Sequence, residues 1–199
     1  MKKLPRSFYL QPTPRVAKDL LGKYLVRRLE GRSLIVRIVE TEAYCESDPA
    51  SHSFRGPTKR NEVMFSQGGH LYVYFTYGMH FCANVVTGPA GKGEAVLLRG
   101  AQPIEGMDQM SRNRRHRGTT RMQGDALALN LTNGPAKLCE ALKIGRKENE
   151  IDLLGNEIYL LDSPRLQPSA IGRSTRIGIR LGKKALHRFF IKGNEWVSR

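Results

Sequence analysis

Cysteine is scarce in this chain of 199 residues, which contains only three: Cys45, Cys82 and Cys139. An odd number with no close pair favours neither a disulfide framework nor a thiolate metal site, so we interpret all three as small buried hydrophobic residues. The histidines also lack a ligand spacing such as HExxH. We therefore expect no metal and no cofactor. The alternative is a zinc site built from a cysteine and three histidines: His52, His70 and His80.

Long hydrophobic runs are absent too, and no stretch approaches the length of a membrane span. The opening sequence, MKKLPRSFYL, contains two lysines but lacks the apolar segment and the cleavage site of a signal peptide. We therefore expect a cytoplasmic protein, associated with the nucleoid if the source is bacterial. Because 40% of the residues are hydrophobic and no internal repeat or long linker occurs, residues 1–199 are expected to form a single domain.

Acidic residues are few: 18 stand against 33 lysines and arginines, which gives a formal net charge of +15 and a pI near 10.1. Nucleic acid is the commonest partner of such a basic protein, and an anionic membrane surface is the alternative. The segment Arg112–Arg121 contains five arginines and no acid: Arg112, Arg114, Arg115, Arg117 and Arg121. We predict that it contacts phosphates without reading sequence, and a solvated, mobile connection is the other interpretation.

Alternating apolar residues predict a β-sheet. Strands are expected at Tyr24–Arg28, Ser33–Tyr44, Glu94–Arg99, Glu157–Leu161, Thr175–Leu181 and His187–Lys192, with a hairpin at Leu71–Val86. One helix should begin with Thr13 as its N-cap, and a second should follow Asn133-Gly134-Pro135. These elements indicate an α+β fold, in which a curved, mostly antiparallel sheet is surrounded by helices and carries a protruding hairpin.

The tip of the predicted hairpin is unusually apolar. Gly78 can supply the positive φ of a turn, but it is crowded by three apolar residues: Tyr77, Met79 and Phe81. Turns in water usually carry polar residues, so we expect something to cover or receive this tip. The alternative is that the aromatic residues of the hairpin are half-buried core residues, as strand aromatics usually are.

Two glutamates follow an apolar register in the strand predicted at Ser33–Tyr44. Its even-numbered residues, apolar at first, end with Glu40, Glu42 and Tyr44, so an apolar face should run directly into two carboxylates. A buried carboxylate needs a cationic partner or a wet cleft. Arg99 ends a similar register in the strand predicted at Glu94–Arg99, and we predict a contact between Glu42 and Arg99, either as a structural ion pair or as part of a site.

Two further polar residues need partners. Lys137 falls in the first turn of the second helix, where a positive charge is unfavourable because of the helix dipole. It therefore either binds a nearby phosphate or is an ordinary exposed lysine. Asn84 lies among apolar strand neighbours, and a buried amide has to be hydrogen-bonded.

From about Asp19 to Trp196 the chain resembles the alkyladenine (3-methyladenine) DNA glycosylase family. The resemblance rests on several long motifs in the same order: RIVETEAY at Arg37–Tyr44, His52-Ser53, LYVYFTYGMHFCAN at Leu71–Asn84, AVLLRGAQPIEG at Ala95–Gly106, GPAKLC at Gly134–Cys139, and RFFIKGNEWVS after them. The chain departs from mammalian members at His80, where a tyrosine is common, in a loop before His52 that is one residue shorter, and in the arginine-rich segment.

The resemblance implies a monofunctional DNA glycosylase that starts base excision repair. Such an enzyme flips a damaged purine, of the 3-methyladenine, 7-methylguanine, hypoxanthine and ethenoadenine class, out of duplex DNA and hydrolyses its N-glycosidic bond with an activated water. Glu42 matches the general base of the family, and Arg99 matches the arginine that holds this carboxylate and the water. A backbone carbonyl near Ile179 corresponds to the third ligand of the water.

The resemblance also implies the contacts with DNA. The extruded base would be held by four residues: Tyr44, His52, Tyr74 and Asn84. Tyr77, flanked by Met79, matches the side chain inserted into the duplex. Basic residues expected at the DNA backbone are Lys137, Arg114 and Arg115. We expect a monomer acting on damaged double-stranded DNA, and the alternatives are a non-catalytic minor-groove DNA-binding protein, in which Glu42 only anchors Arg99, and a metal-dependent nuclease.

Overall fold

The computed structural model describes residues 1–114 and 129–198. The strands in these ranges are β1 (Tyr24–Leu29), β2 (Arg32–Tyr44), β3 (Leu71–Thr76), β4 (His80–Val86), β5 (Ala95–Glu105), β6 (Ile158–Leu161), β7 (Ile171–Ser174) and β8 (Arg188–Ile191). The helices are α1 (Arg6–Tyr9), α2 (Thr13–Asp19), α3 (Met107–Arg114) and α4 (Pro135–Ala141), with short 3₁₀ turns at Glu62–Phe65, Arg146–Glu148 and Pro168–Ala170. None of the helices described is long and apolar enough to cross a membrane.

Strand β2 is the centre of one antiparallel sheet. It pairs with β5 along one edge, and its other edge is shared by β1, opposite Arg32–Arg37, and by β8, opposite Glu40–Glu42. The strand order is β3-β4-β5-β2-β1-β6, with β8 beside β2 and β7 beside β8. The sheet is curled, and the β3–β4 hairpin extends from it, so the predicted α+β fold with a curved, mostly antiparallel sheet is confirmed.

The main apolar core lies between one face of the sheet and helices α2 and α4. Val16 and Ala17 of α2 and Leu138 and Cys139 of α4 are all buried there. A smaller cluster lies elsewhere around Tyr72 of β3: Val63, Met64, Tyr72, Val86 and Ala95. Each fully buried side chain of the size of valine, leucine or methionine stabilises the fold by roughly 1.5–3 kcal/mol. Both clusters together fix the strands that carry the cavity described below.

The start of α2 differs from the prediction, because Thr13 is not its N-cap. Pro12 occupies the cap position without a capping hydrogen bond, and Thr13 is the first helical residue. The hydroxyl of Thr13 donates to Glu94 Oε2 at 2.5 Å instead. Glu94 is only 6% exposed, so its carboxylate has to find hydrogen-bond donors within the protein. The N–H groups at the start of α2 can bond to water instead, so the Thr13 hydroxyl serves Glu94.

A pair of β-bulges changes which side chains β2 and β5 present to the core. Val39 of β2 and Arg99 of β5 have no partner in the β2–β5 register, which is shifted on both sides of Glu40. Before the bulges the core receives even-numbered β2 residues, such as Ile38, but beyond them it receives Ala43. The expectation that one apolar face runs into the two glutamates is therefore wrong, since the bulges turn Glu42 away from the main core.

The strand predicted at Thr175–Leu181 is absent, and β7 lies earlier in the chain. Arg176 Nη1 donates to the Ala43 carbonyl at 3.0 Å, and the Ile177 N–H donates to Glu42 Oε1 at 2.8 Å. A backbone N–H that bonds to a side chain cannot take part in a strand ladder. We call residues 176–182 the strap, because they lie across the end of β2.

Candidate active site

A cavity of about 520 Å³ opens between the β3–β4 hairpin, the loop that follows β2, and the strap. Its lining is largely aromatic near the hairpin, with Tyr72 and Tyr74, and on the β5 side it contains the charged Arg99 beside two apolar residues. This volume lies in the range of small-molecule sites, and a few convergent polar groups in an apolar wall are typical of such sites. The cavity is therefore large enough to admit a small ring system.

Glu42 lies immediately behind the wall of this cavity. The residue has no exposed surface, but three of its partners line the cavity. Its Oε2 accepts a hydrogen bond from the Tyr44 hydroxyl at 2.8 Å, and its Oε1 accepts one from the Ile177 N–H at 2.8 Å. Arg99 Nη1 lies 3.4 Å from Oε1. The carboxylate is thus held by one cation and two neutral donors.

Arg99 reaches Glu42 because it is the bulged residue of β5. Its side chain is 10% exposed and forms ion pairs with both Glu40 and Glu42. The predicted contact between Arg99 and Glu42 is present, although the register argument behind it was incomplete. Arg99 is thus shared by two buried carboxylates, and Arg188 supplies Glu40 with a second cation.

Tyr44 connects the carboxylate to the cavity. The guanidinium of Arg176 lies 4.6 Å from the centroid of its ring, and Arg176 also forms an ion pair with Asp48. Burial, and then the negative charge of Glu42, raise the pKa of the Tyr44 hydroxyl well above its ordinary value. The phenol is therefore neutral at pH 7 and acts as a hydrogen-bond donor to Glu42.

The aromatic wall consists of Tyr72, Tyr74 and His52. The His52 and Tyr74 rings lie 4.5 Å apart at 76°, and the two tyrosine rings stack 5.6 Å apart at 30°. The Nδ1 of His52 and the hydroxyl of Tyr72 share a hydrogen bond at 3.0 Å. Loss of water around the ring, and then the charge of Arg60, lower the pKa of His52 below its ordinary value. His52 is thus neutral at pH 7.

The amide of Asn84 and the thiol of Cys82 also line the cavity, from β4. Asn84 is 5% exposed, and its Nδ2 donates to the Tyr72 carbonyl at 3.1 Å. Burial raises the pKa of Cys82, so its thiol is protonated at neutral pH. The amide has the buried partner that the sequence required, and it is fixed beside the aromatic wall.

The hairpin tip is exposed at the rim of the cavity. Tyr77 is 83% exposed and Met79 is 53% exposed. Tyr77 and Gly78 have φ values of 50° and 66°, and the Met79 N–H donates to the Thr76 carbonyl at 3.2 Å. Positive φ at both central residues belongs to the type I′ turn, which a bulky side chain such as that of Tyr77 rarely adopts.

Two of the three basic residues predicted at the DNA backbone, Lys137 and Arg114, have partners within the chain. Lys137 Nζ donates to Asn133 Oδ1 at 2.8 Å and to Asn130 Oδ1 at 3.0 Å. Burial, and then the charge of Arg114, lower the pKa of Lys137. Arg114 forms an ion pair with Glu140 at 3.6 Å. Arg115 and the rest of the segment up to Arg121 lie outside the described residues.

The strap contains the site residues that the sequence did not identify. Ile179, near which a backbone carbonyl is predicted to bind the water, lines the cavity, and the N–H of the nearby Ile177 donates to Glu42. Arg176, which contacts Tyr44, was read as part of an ordinary strand. Only the surplus of cations between residues 173 and 188 hinted at another role.

The histidines of the zinc alternative are engaged separately. His52 bonds to Tyr72, Nδ1 of His70 lies 2.7 Å from the Gln67 carbonyl, and His80 lies 3.4 Å from Glu140. Across residues 1–114 and 129–198, no group of three or more His, Cys, Asp or Glu side chains could hold a metal ion.

Comparison with known proteins gives a consistent result. The family model for methylpurine-DNA glycosylase matches residues 7–195. The chain is 48% identical over 197 residues to a protein of Carboxydothermus hydrogenoformans, with 98% of each chain covered. It is 46% identical over 199 residues to a protein of Methanoculleus marisnigri, again with 98% of each covered, and 45% identical over 186 residues to one of Francisella tularensis, with 92% of each covered. All three relatives bear the name "Putative 3-methyladenine DNA glycosylase".

Proposed function

This chain belongs to the methylpurine-DNA glycosylase family, and we propose that it flips damaged purines out of duplex DNA into the cavity beside Glu42 and releases them there. It is a hydrolase that acts on the N-glycosidic bond of DNA. The proposed substrates are alkylated and deaminated purines: 3-methyladenine, 7-methylguanine, hypoxanthine and ethenoadenine.

The observation that carries the proposal is the Glu42 carboxylate, held by Tyr44, Ile177 and Arg99 behind an aromatic-walled cavity. In the proposed reaction Glu42 accepts a proton from a water molecule while the water oxygen bonds to C1′ of the deoxyribose. The bond between C1′ and the purine nitrogen breaks, and its electron pair leaves with the base. Water is the nucleophile, so no strand cleavage follows. Arg99 and Tyr44 keep the carboxylate aimed at the cavity.

The aromatic wall supplies the binding of the extruded base. A base stacked on an aromatic side chain gains roughly 1–3 kcal/mol, and a cationic alkylated ring gains more from the negative faces of the tyrosines. Because the pKa of His52 is lowered, its ring adds no positive charge beside such a base at pH 7. Asn84, fixed by its bond to Tyr72, is proposed to crowd the exocyclic amine of undamaged guanine.

The hairpin tip is proposed to hold the duplex open. Extruding a nucleotide costs a few kcal/mol, and an apolar side chain that fills the vacated position offsets part of that cost. Tyr77 is exposed and adopts positive φ, an arrangement that costs about 1 kcal/mol or more and buries little apolar surface within the chain. Its position at the cavity rim supports insertion into DNA, with Met79 beside it.

The basic residues around the cavity are proposed to bind phosphates. Lys137 follows Pro135, which lines the cavity, and Arg114 lies close enough to lower the pKa of Lys137. Arg115 is also proposed to contact phosphates. We further propose that the protein acts as a monomer and that residues 1–199 form one glycosylase domain, which light scattering on the free and DNA-bound protein would test.

The decisive experiment is Glu42→Gln, assayed for base release under single-turnover conditions. The substrates are duplexes with one hypoxanthine or one 7-methylguanine. Glutamine keeps the shape of the side chain but cannot accept the proton, so we expect excision to fall by at least about 100-fold. Affinity for the same duplexes, measured by fluorescence anisotropy, should stay within a few-fold of the wild-type value.

The matched control is Glu148→Gln, since Glu148 is also a buried glutamate but pairs with Arg27 away from the cavity. This variant should lose stability and keep its excision rate. Retained excision by Glu42→Gln would remove Glu42 from the role of base. A wild-type protein that binds these duplexes and releases no base would contradict the proposal and favour the non-catalytic DNA-binding alternative.

A further inference from the structure

Glu40 is a second buried carboxylate, two residues before Glu42 in β2, and the proposed reaction does not use it. Its Oε1 accepts hydrogen bonds from Arg188 Nε at 2.6 Å, from Ser198 Oγ at 2.9 Å and from Arg99 Nε at 3.2 Å. Its Oε2 accepts one from the Ser198 N–H at 2.6 Å. A carboxylate has about four acceptor positions, so its orientation is fixed.

The orientation of Glu40 determines that of Arg99. Three nitrogens of the Arg99 side chain face three different partners: Nε faces Glu40, Nη1 lies 3.4 Å from Glu42, and Nη2 donates to Ser198 Oγ at 3.2 Å. The guanidinium is planar and rigid, so fixing two of its nitrogens also fixes the third. Glu40 and Ser198 thereby set where Nη1 meets Glu42.

Arg188 is a second cation beside Glu40, so Glu40 can orient Arg99 without being the group that its positive charge compensates. The distance from Glu40 Oε1 to Arg188 Nε is 2.6 Å, shorter than the 3.2 Å to Arg99 Nε. Two carboxylates and two guanidiniums form this cluster, so the charges balance. Because Arg188 lies closer to Glu40, the positive charge of Arg99 is available to Glu42.

Gly100 makes the approach of Ser198 possible. A Cβ at Gly100 would lie 2.7 Å from the Trp196 carbonyl oxygen and 3.1 Å from Glu40 Oε2. A larger residue would push the segment that carries Ser198 away from the sheet. Glu40 and Ser198 are not among the described residues that line the cavity, and Glu40 has no exposed surface.

We infer that Glu40, with Ser198, is a positioning group for base release, which holds the Arg99 guanidinium against Glu42. The inference rests on the proposed roles of Glu42 and Arg99. It predicts that disturbing Glu40 slows the chemical step and leaves duplex binding unchanged.

The test is Glu40→Gln, measured for single-turnover excision of hypoxanthine and for affinity to the same duplex. We expect excision to fall about 10-fold or more, with a dissociation constant within twofold of the wild-type value. Glu148→Gln reports what the loss of an unrelated buried ion pair does. An excision rate for Glu40→Gln equal to that of Glu148→Gln would overturn the inference.

A double variant distinguishes positioning from general support of the fold. If Glu40 acts through Arg99, then Glu40→Gln combined with Arg99→Gln should be no slower than Arg99→Gln alone. Rate losses that multiply would overturn the inference.

Ser198→Ala provides a second measurement if Glu40→Gln does not fold. It removes only the hydroxyl that bonds to Glu40 and Arg99. We expect a smaller loss of excision, several-fold, that Ser198→Thr restores. Unchanged excision would overturn the inference. If the wild-type protein releases no base, both the proposed function and this inference are wrong. If the wild-type protein and the Glu40→Gln and Ser198→Ala variants are all fully active, only the inference about Glu40 is wrong.

Discussion

Glu42 shows how a carboxylate can be kept inside a small protein. Burial of an ion costs several kcal/mol unless hydrogen bonds and an opposite charge replace the lost water. Glu42 accepts hydrogen bonds from the Tyr44 hydroxyl and the Ile177 N–H and forms an ion pair with Arg99. The three groups come from different parts of the chain. The strap therefore contacts Glu42 through its backbone, and a side-chain substitution at Ile177 other than proline would keep that donor.

The neutral state of His52 leads to a prediction about pH. Because the pKa of His52 is lowered, the ring stays neutral from alkaline pH down to its ordinary value of 6.5 and becomes charged only below that value. A charged His52 would repel a cationic base. We therefore expect the ratio of 7-methylguanine to hypoxanthine excision to be constant between pH 8 and 6.5 and to fall at lower pH.

The ratio cancels effects on Glu42 and on stability that both substrates share. His52→Asn has no group that titrates in this range, so its ratio should not vary with pH. A fall in the ratio at low pH that His52→Asn retains would show that protonation of His52 is not its cause.

Residue-level prediction succeeded where neighbours in sequence were informative. Glu42 and Arg99 each end an apolar run, and their contact followed from the need to compensate a buried charge. The contacts of Glu42 with Ile177 and of Glu40 with Ser198 join residues 135 and 158 positions apart. No local pattern encodes such contacts, so they could be found only once the strands were placed.

The β3–β4 hairpin is the element to which we assign a mechanical role. If Tyr77 fills the place of the extruded nucleotide, Tyr77→Ala should slow excision from duplex DNA by more than about 10-fold, because part of the extrusion cost is no longer offset. Excision from single-stranded DNA has no such place to fill and should change by less than about threefold. Both rates can be measured with one hypoxanthine-containing strand, alone and annealed.

Ile104→Ala is a suitable control for this experiment. Ile104 is also an exposed apolar residue, 48% accessible, but it lies near the far end of β5. Its substitution should alter neither rate. Equal losses on single-stranded and duplex DNA for Tyr77→Ala would count against insertion.

Element prediction worked for strands with a regular apolar alternation and failed where backbone groups serve the site. The hairpin and the long β2 strand were placed within a few residues of their actual bounds. Residues 175–181 read as a strand because Ile177 and Ile179 alternate with polar residues. In the structure the Ile177 N–H donates to Glu42, so it is not available for pairing with a neighbouring strand. The sequence does not show this contact.

The net charge of +15 is a property of the whole molecule, and it predicts strong salt dependence of DNA binding. Each phosphate contact releases counterions, so the logarithm of the binding constant should fall linearly with the logarithm of the salt concentration. We expect a steep slope, equal for undamaged and damaged duplexes, since the phosphates are the same. Fluorescence anisotropy between 50 and 300 mM KCl measures it.

Lys137→Ala tests one contributor to this slope. If Lys137 exchanges its two asparagine partners for a phosphate, the slope should decrease by about one unit. Lys143→Ala, an exposed lysine that pairs with Glu30, serves as the comparison. An unchanged slope for Lys137→Ala would mean that the lysine only ties together the start of α4.

The paired bulges at Val39 and Arg99 impose a rule on how this sequence can change in length. Losing one residue from β2 alone would rotate Glu42 toward the apolar side and leave Arg99 without its partner. Losing Val39 and Arg99 together would remove both bulges beside Glu40, and Glu42 would lose the cation that pairs with it. In this region insertions and deletions should therefore be far less tolerated than substitutions. A redesign of the sheet should keep both bulges.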